Sequence, residues 1–253
     1  MNRPIGVFDS GVGGISILKE LVKLMPNENY IYMGDSANAP YGSKAAEEVQ
    51  KLATENVEKL ISMDAKAVVI ACNTATSVAA ESLRKKHPEI PIIGVEPALK
   101  PAVLHKENSV IVVMGTPITL HEHKFHDLMS HYSDRAEIIS LPCHNLAAMI
   151  EKGILEGNEM EAYLKELFKP LKNKKIDSVV LGCTHYPFIK KSILKVFGNV
   201  AIFDGGEGTA RETKRRLEED GTLSHSNKKG KITILNSLNS NEQIKFSQKL
   251  LYL

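Results

Sequence analysis

The chain has 253 residues, 43% of them hydrophobic and 25% charged, with a formal net charge of +2. This is a globular composition, long enough for one large or two moderate cores, and it gives no reason to expect nucleic acid or an acidic membrane surface as the main ligand. Three cysteines without close spacing argue against a disulfide framework; with no leader-like start and no apolar run of the roughly 20 residues needed to span a bilayer, a soluble cytoplasmic protein is expected.

Residues 5–8 read as a first strand, followed by Asp9-Ser10-Gly11-Val12-Gly13-Gly14. A helix over 15–24 puts Ile15, Leu18, Leu21 and Val22 on one face, with Pro26 just beyond it. A second strand, 30–33, ends in Gly34-Asp35, and a loop with Pro40-Tyr41-Gly42 leads into a helix over about 44–62. A third strand, 67–71, delivers Cys72; a helix begins near Ala75, and 92–95 is the fourth strand. The second half repeats this rhythm. A strand over 110–114 ends in Gly115-Thr116, and a helix rich in His and Glu follows. Then come a strand at Ile138-Ile139, helices over 146–151 and about 160–171, and a strand over 179–181 ahead of Cys183.

Strands alternating with helices predict an α/β fold of two pseudo-symmetric parallel-sheet domains with helices on both faces. The active site is expected in the cleft between them, at the carboxyl ends of the strands. Glu96-Pro97 and Pro101 punctuate the passage into the second half, and the chain leaves it around Asp204-Gly205-Gly206. The expected division is therefore 1–96 with 206–253, carrying Asp9 and Cys72, against 97–205, carrying Cys183 and His185. The last stretch, a helix from about Thr209, a strand over 232–235 and a terminal helix near 242–251, is expected to pack back on the first half.

Two segments echo each other: Ala67-Val68-Val69-Ile70-Ala71-Cys72-Asn73-Thr74-Ala75 and Ser178-Val179-Val180-Leu181-Gly182-Cys183-Thr184-His185-Tyr186-Pro187. Each delivers a Cys, and soon a Thr, to the end of an apolar strand. Helix N-termini are expected just after both thiols, where the dipole and free N–H groups favour thiolate. The pair reads as two catalytic thiols facing one substrate, with His185 functional at the mouth of the site. Cys143, after Pro142, lacks this setting and reads as structural.

Other motifs fail on detail. The loop after residue 8 lacks the Gly-Lys-Ser/Thr of a P-loop, and Ser16 stands where a dinucleotide fingerprint needs Gly or Ala. Asp9 would repel a pyrophosphate but suits an ammonium group or an acid–base role. His121-Glu122-His123-Lys124-Phe125-His126 has Phe125 where a zinc-protease helix needs its second histidine. The three cysteines form no metal-ligand spacing, so no metal is expected. The lysines at 172, 174, 175, 228, 229 and 231 have no interleaved aromatics and read as solvated loops.

Taken together, Phe8-Asp9-Ser10-Gly11-Val12-Gly13-Gly14, Gly34-Asp35 with Pro40-Tyr41-Gly42, Ala71-Cys72-Asn73-Thr74-Ala75 and Leu181-Gly182-Cys183-Thr184-His185-Tyr186-Pro187 resemble the glutamate racemase branch of the aspartate/glutamate racemase family. The resemblance runs from about residue 4 to about 215. It implies a cofactor-independent interconversion of L- and D-glutamate that supplies peptidoglycan synthesis, carried out by a homodimer. It implies that Cys72 serves the D-enantiomer with Asp9 as partner, and Cys183 the L-enantiomer with His185. Ser10, Tyr41, Gly42, Asn73, Thr74 and Thr184, with Asp9 and His185, are implied substrate contacts; Thr116 and Thr119 are further ones, and Glu151 is an acid near the site. Gly205 stands where many relatives have serine, and Glu96 receives no role. Three other readings stay open: a racemase of aspartate or another amino acid, a hydrolase using one thiol with His185, and a non-catalytic binding protein, for instance one contacting a topoisomerase.

Overall fold

The computed structural model describes residues 3–253, apart from the side chains of His123 and Lys124. Strand β1 (Ile5–Asp9), buried throughout, leads to α1 (Ile15–Leu24), β2 (Tyr30–Gly34) and α2 (Ala46–Ser62). Then come β3 (Ala67–Ile70), α3 (Asn73–Lys86), β4 (Ile92–Gly94) and α4 (Leu99–His105). The second series is β5 (Ser109–Gly115), α5 (Pro117–His121), α6 (His123–Tyr132), β6 (Ala136–Pro142), α7 (Leu146–Glu151) and α8 (Asn158–Phe168). It continues with β7 (Ser178–Leu181), α9 (Lys190–Phe197) and β8 (Ala201–Asp204). The chain closes with α10 (Gly206–Glu219), β9 (Ile232–Asn236) and α11 (Asn241–Leu251).

Two parallel sheets result, ordered β4-β3-β1-β2-β9 and β6-β5-β7-β8. Reading the second from its other end matches β8, β7, β5 and β6 to β4, β3, β1 and β2, so the strands before the two thiols occupy the same place in each sheet. Strand β9 is an addition to the first. The last stretch returns to the first sheet as expected: β9 pairs with β2, and α10 and α11 pack on α1.

The two-residue period of a strand builds a core on each face of each sheet. Val7 and Val69 face α1, α10 and α11, while Phe8, Val68 and Ile70 face α2 and α3. Val112, Met114 and Val179 face the α7–α9 layer; Ile111, Val113 and Val180 face the other side, with Leu99, Ala102 and Val103 of α4. Each large apolar side chain so buried is worth about 1.5–3 kcal/mol. Strands buried on both faces confine their polar residues to their ends, such as Asp9, Ser109 and Ser178, which is why the sequence runs are continuous rather than alternating.

Three elements lie outside the sequence expectations. Strand β8 is only half-buried along its length and ends at Asp204. Helix α4 contains Pro101, read as a break; it occupies the third helical position, in the first turn, where no intrahelical N–H is needed. Helix α9 follows a short 3₁₀ turn, Tyr186–Ile189. Among the described residues, no helix is long and apolar enough to cross a membrane.

Candidate active site

The register of β1 against β3, Phe8 opposite Ile70, brings Asp9 at the end of one strand level with the residues leading to Cys72 at the end of the next. Cys72 is the N-cap of α3, and its sulfur accepts the Ala75 N–H at 3.5 Å. Its thiol donates to Ser10 Oγ at 3.6 Å. The helix terminus does not produce the expected thiolate. Burial, then the charge of Asp9, push this thiol up to about 12, and the Ala75 and Ser10 hydrogen bonds offset only part of the rise. Cys72 is a proton-bearing thiol at neutral pH.

Cys183 lies two residues beyond β7, in a turn that reaches α9 only through the 3₁₀ turn at Tyr186–Ile189. The expected helix N-terminus directly after it is therefore absent. A different device stands in its place: Cys183 Sγ is 3.5 Å from His185 Nδ1. His185 Nε2 is 2.7 Å from Glu151 Oε1. Burial pulls the imidazolium down, but Cys183 and Glu151, through hydrogen bonds and charge, outweigh it and hold His185 well above its ordinary range. Both ring nitrogens then donate, one to the sulfur and one to the carboxylate.

Asp9 was expected as the partner of Cys72. It reaches that thiol through charge, while its hydrogen bonds run elsewhere: Oδ1 accepts Gly11 N–H at 3.0 Å and Oδ2 accepts Thr184 Oγ1 at 2.9 Å. Complete burial raises the Asp9 carboxyl above its usual range despite His185 and these two donors. The Thr184 bond crosses from one sheet to the other, and so does Ser16 Oγ to the Thr184 carbonyl at 2.8 Å. Two glycines make this approach possible. A Cβ on Gly11 would overlap the Glu151 carboxylate, and one on Gly13 would overlap the side chains of Thr184 and His185.

Three threonine hydroxyls form a second cluster: Thr74 lies 3.1 Å from Thr116 and 3.2 Å from Thr119, which are 2.9 Å apart. Thr116 also caps α5. Gly42 sits so close to Thr116 that a Cβ there would overlap it. The Tyr41 hydroxyl is committed to Asp35 Oδ2 at 2.7 Å, leaving its ring beside the site. Asn73 Oδ1 is buried with no protein partner. Ser10, Tyr41, Gly42, Asn73, Thr74, Thr116, Thr184 and His185 line one cavity with both thiols. Cys72 and Cys183 are 6% and 7% exposed, so both are buried.

Glu151 and Thr119 thus join the site from behind its lining. Sequence reasoning missed Ser36 and Gln243, which donate to Glu151 Oε2 at 3.2 and 3.1 Å. Cys143 is buried in the core beside α7 and α8, as a structural residue would be. Among the described residues, no group of three metal-ligating side chains is assembled; the His123 side chain lies outside the description.

A family model described as Asp/Glu/hydantoin racemase matches residues 5–213. Glutamate racemase from Clostridium botulinum is 55% identical over 251 residues, 99% of this chain and 97% of the relative. That from Clostridium acetobutylicum is 52% identical over 250 residues, 99% and 98% of the two chains. Among solved structures, glutamate racemase from Francisella tularensis in complex with D-glutamate superposes with a TM-score of 0.87 at 33% identity, covering 100% of this chain and 94% of that one. The Escherichia coli glutamate racemase in complex with L-glutamate and the activator UDP-MurNAc-ala gives 0.85 at 30% identity, covering 98% and 95%.

Proposed function

As the chain belongs to the Asp/Glu/hydantoin racemase family, we infer that its reaction is the interconversion of L- and D-glutamate, and we propose a cofactor-independent route through Cys72 and Cys183. The enzyme is an isomerase acting on an amino acid. One observation carries the route: two buried thiols from equivalent strands line the same cavity.

Inverting Cα needs a proton to leave one face and return to the other. Cys183 takes the proton from L-glutamate, with the His185 imidazolium beside its sulfur. Cys72, a thiol at neutral pH, returns a proton to the opposite face. The D-to-L direction exchanges the roles. This assignment of faces follows the family resemblance.

General acid–base catalysis contributes about 10²–10⁴-fold, too little alone for so weak a carbon acid. The remainder comes from holding the carbanion's charge in a closed site of fixed dipoles. Asp9 attracts the α-ammonium, and Asn73 with the hydroxyls of Ser10, Thr74 and Thr116, which line the cavity, holds the carboxylates; Thr119 backs Thr74 and Thr116, and Thr184 donates to Asp9. The cavity measures about 20 Å³, room for a water, which needs about 10–15 Å³ on that scale. Glutamate needs more room than this, and we propose that the two halves separate to admit it. We propose 1–96 with 206–253 and 97–205 as the moving units, with the hinge where Gly205 packs on the Glu96 carbonyl. A cytoplasmic homodimer supplying D-glutamate to peptidoglycan synthesis completes the proposal.

Circular dichroism of glutamate tests the substrate. The wild-type protein takes either pure enantiomer to a null signal. Racemisation of aspartate with glutamate untouched would move the substrate assignment.

A further inference from the structure

Behind His185 a line of hydrogen bonds leaves the cavity and runs into the last segment of the chain. Glu151 Oε1 accepts Val12 N–H at 2.6 Å and faces His185 Nε2 at 2.7 Å. Its Oε2 accepts Ser36 Oγ at 3.2 Å and Gln243 Nε2 at 3.1 Å. Asn236 Nδ2, at the end of β9, donates to Ser36 Oγ at 2.9 Å. Four donors occupy the carboxylate, about as many as its lone pairs accept, so the plane of the group is fixed. Glu151 belongs to α7, packed on the second sheet; Val12, Ser36 and Gln243 come from the first.

Gln243 has an alternative use that sharpens the point. Ser240-Asn241-Glu242-Gln243 has the form of a capping box, whose last position takes Glu or Gln alike. Ser240 plays its part, accepting the Gln243 backbone N–H at 3.4 Å. The Gln243 amide nitrogen, however, reaches out of the helix to Glu151 and Ser36. Of the two residues the motif admits, only Gln does this at neutral pH; an ionised Glu would set one carboxylate against another.

We propose that Gln243, with Ser36, is a positioning residue for the Cys183–His185 pair: its amide holds Glu151 Oε2 so that Oε1 stays on His185 Nε2. The terminal helix is thereby tied to the proton on His185 beside Cys183. The inference rests on the two-thiol reading above. The groups facing His185 are Cys183, Glu151 and Asp9, and Tyr32 faces Glu151. Freed from Gln243, Glu151 loosens its hold on the imidazolium, and burial then lowers the pH at which His185 loses its proton.

The test is the pH profile of kcat and KM for wild type, Gln243→Ala and Gln243→Glu, repeated in a Glu151→Ala background. Both single variants are expected to lose roughly 10-fold in kcat at pH 8, the worth of one hydrogen bond to a charged group. KM should stay within about 2-fold, because no substrate contact is lost. The alkaline limb of Gln243→Ala moves to lower pH, and Gln243→Glu recovers as the pH falls and one carboxyl takes up a proton. In the Glu151→Ala background neither change matters further. Where activity is too low, the His185 ring titration followed by NMR reads the same shift, and Ser36→Ala, which leaves the Gln243 side chain in place, must move it in the same direction. Wild-type behaviour of Gln243→Glu, an undiminished loss in the Glu151→Ala background, or a His185 titration unmoved in Gln243→Ala and Ser36→Ala would overturn the proposal. Failure of the two-thiol reading shows separately, as full racemisation by Cys183→Ser.

Discussion

The two halves deliver their thiols on matching strands, yet the thiols stand in opposite surroundings. Cys72 follows β3 straight into α3, next to the Asp9 carboxylate. Cys183 follows β7 into an irregular turn and meets His185, backed by Glu151. The repeated topology sets where the sulfurs lie, and the loops set their charge state. One thiol keeps its proton and the other has a cationic partner. On the proposed route, that is the division of labour a proton transfer across Cα needs, with the resting enzyme ready for substrate on the Cys183 face.

The comparison breaks first at the thiols themselves. Cys72→Ser and Cys183→Ser should each lower racemisation by about 10³-fold or more, measured by circular dichroism from either enantiomer. Because L- and D-glutamate are equal in energy, kcat/KM must fall equally in the two directions whichever thiol is changed. His185→Asn should cost about 10²-fold, and its alkaline limb should differ from wild type, since the group holding the imidazolium proton is gone.

Alkylation sharpens the contrast without turnover. With the Cys72 thiol pushed up to about 12, iodoacetamide at pH 8 should label Cys183 first, by mass spectrometry. The Cys72 rate should climb with pH as its thiolate forms. Thr116→Val should raise KM by roughly 10-fold with a smaller effect on kcat, since a hydroxyl aimed at a carboxylate is worth that much. Asp9→Asn addresses stability. The folded carboxyl is raised, so stability is lost as pH rises from the ordinary Asp range through the folded value. The melting temperature of the variant should therefore fall less than that of wild type as the pH rises from the acid range to neutrality.

Much of this was legible in the residues. Apolar runs ending in Asp9, Gly34, Cys72 and Cys183 marked the central strands to within a residue or two, because strands buried on both faces have apolar interiors. Strand β8 escaped because an edge needs only half-burial, and α4 because Pro101 reads as a break whether it ends a helix or sits in its first turn. The structure brings Ser10, Tyr41, Gly42, Asn73, Thr74, Thr116, Thr184 and His185 to one cavity with both thiols, but their electrostatics were not legible. A helix N-terminus at Cys72 was visible in sequence; the burial that outweighs it is a property of the assembled halves. Ser36 and Gln243 carried no signal, since their partner lies 115 and 92 residues away in the chain.

The most direct test of two thiols on opposite faces is α-proton exchange of L- and D-glutamate in deuterated water, with wild type, Cys72→Ser and Cys183→Ser. The account predicts deuterium at Cα in the wild-type product and racemisation slowed by about 10³-fold or more in either variant. Residual exchange should be confined to L-glutamate in Cys72→Ser and to D-glutamate in Cys183→Ser. Full racemisation by Cys72→Ser, or equal exchange of both enantiomers by a single-thiol variant, would contradict it.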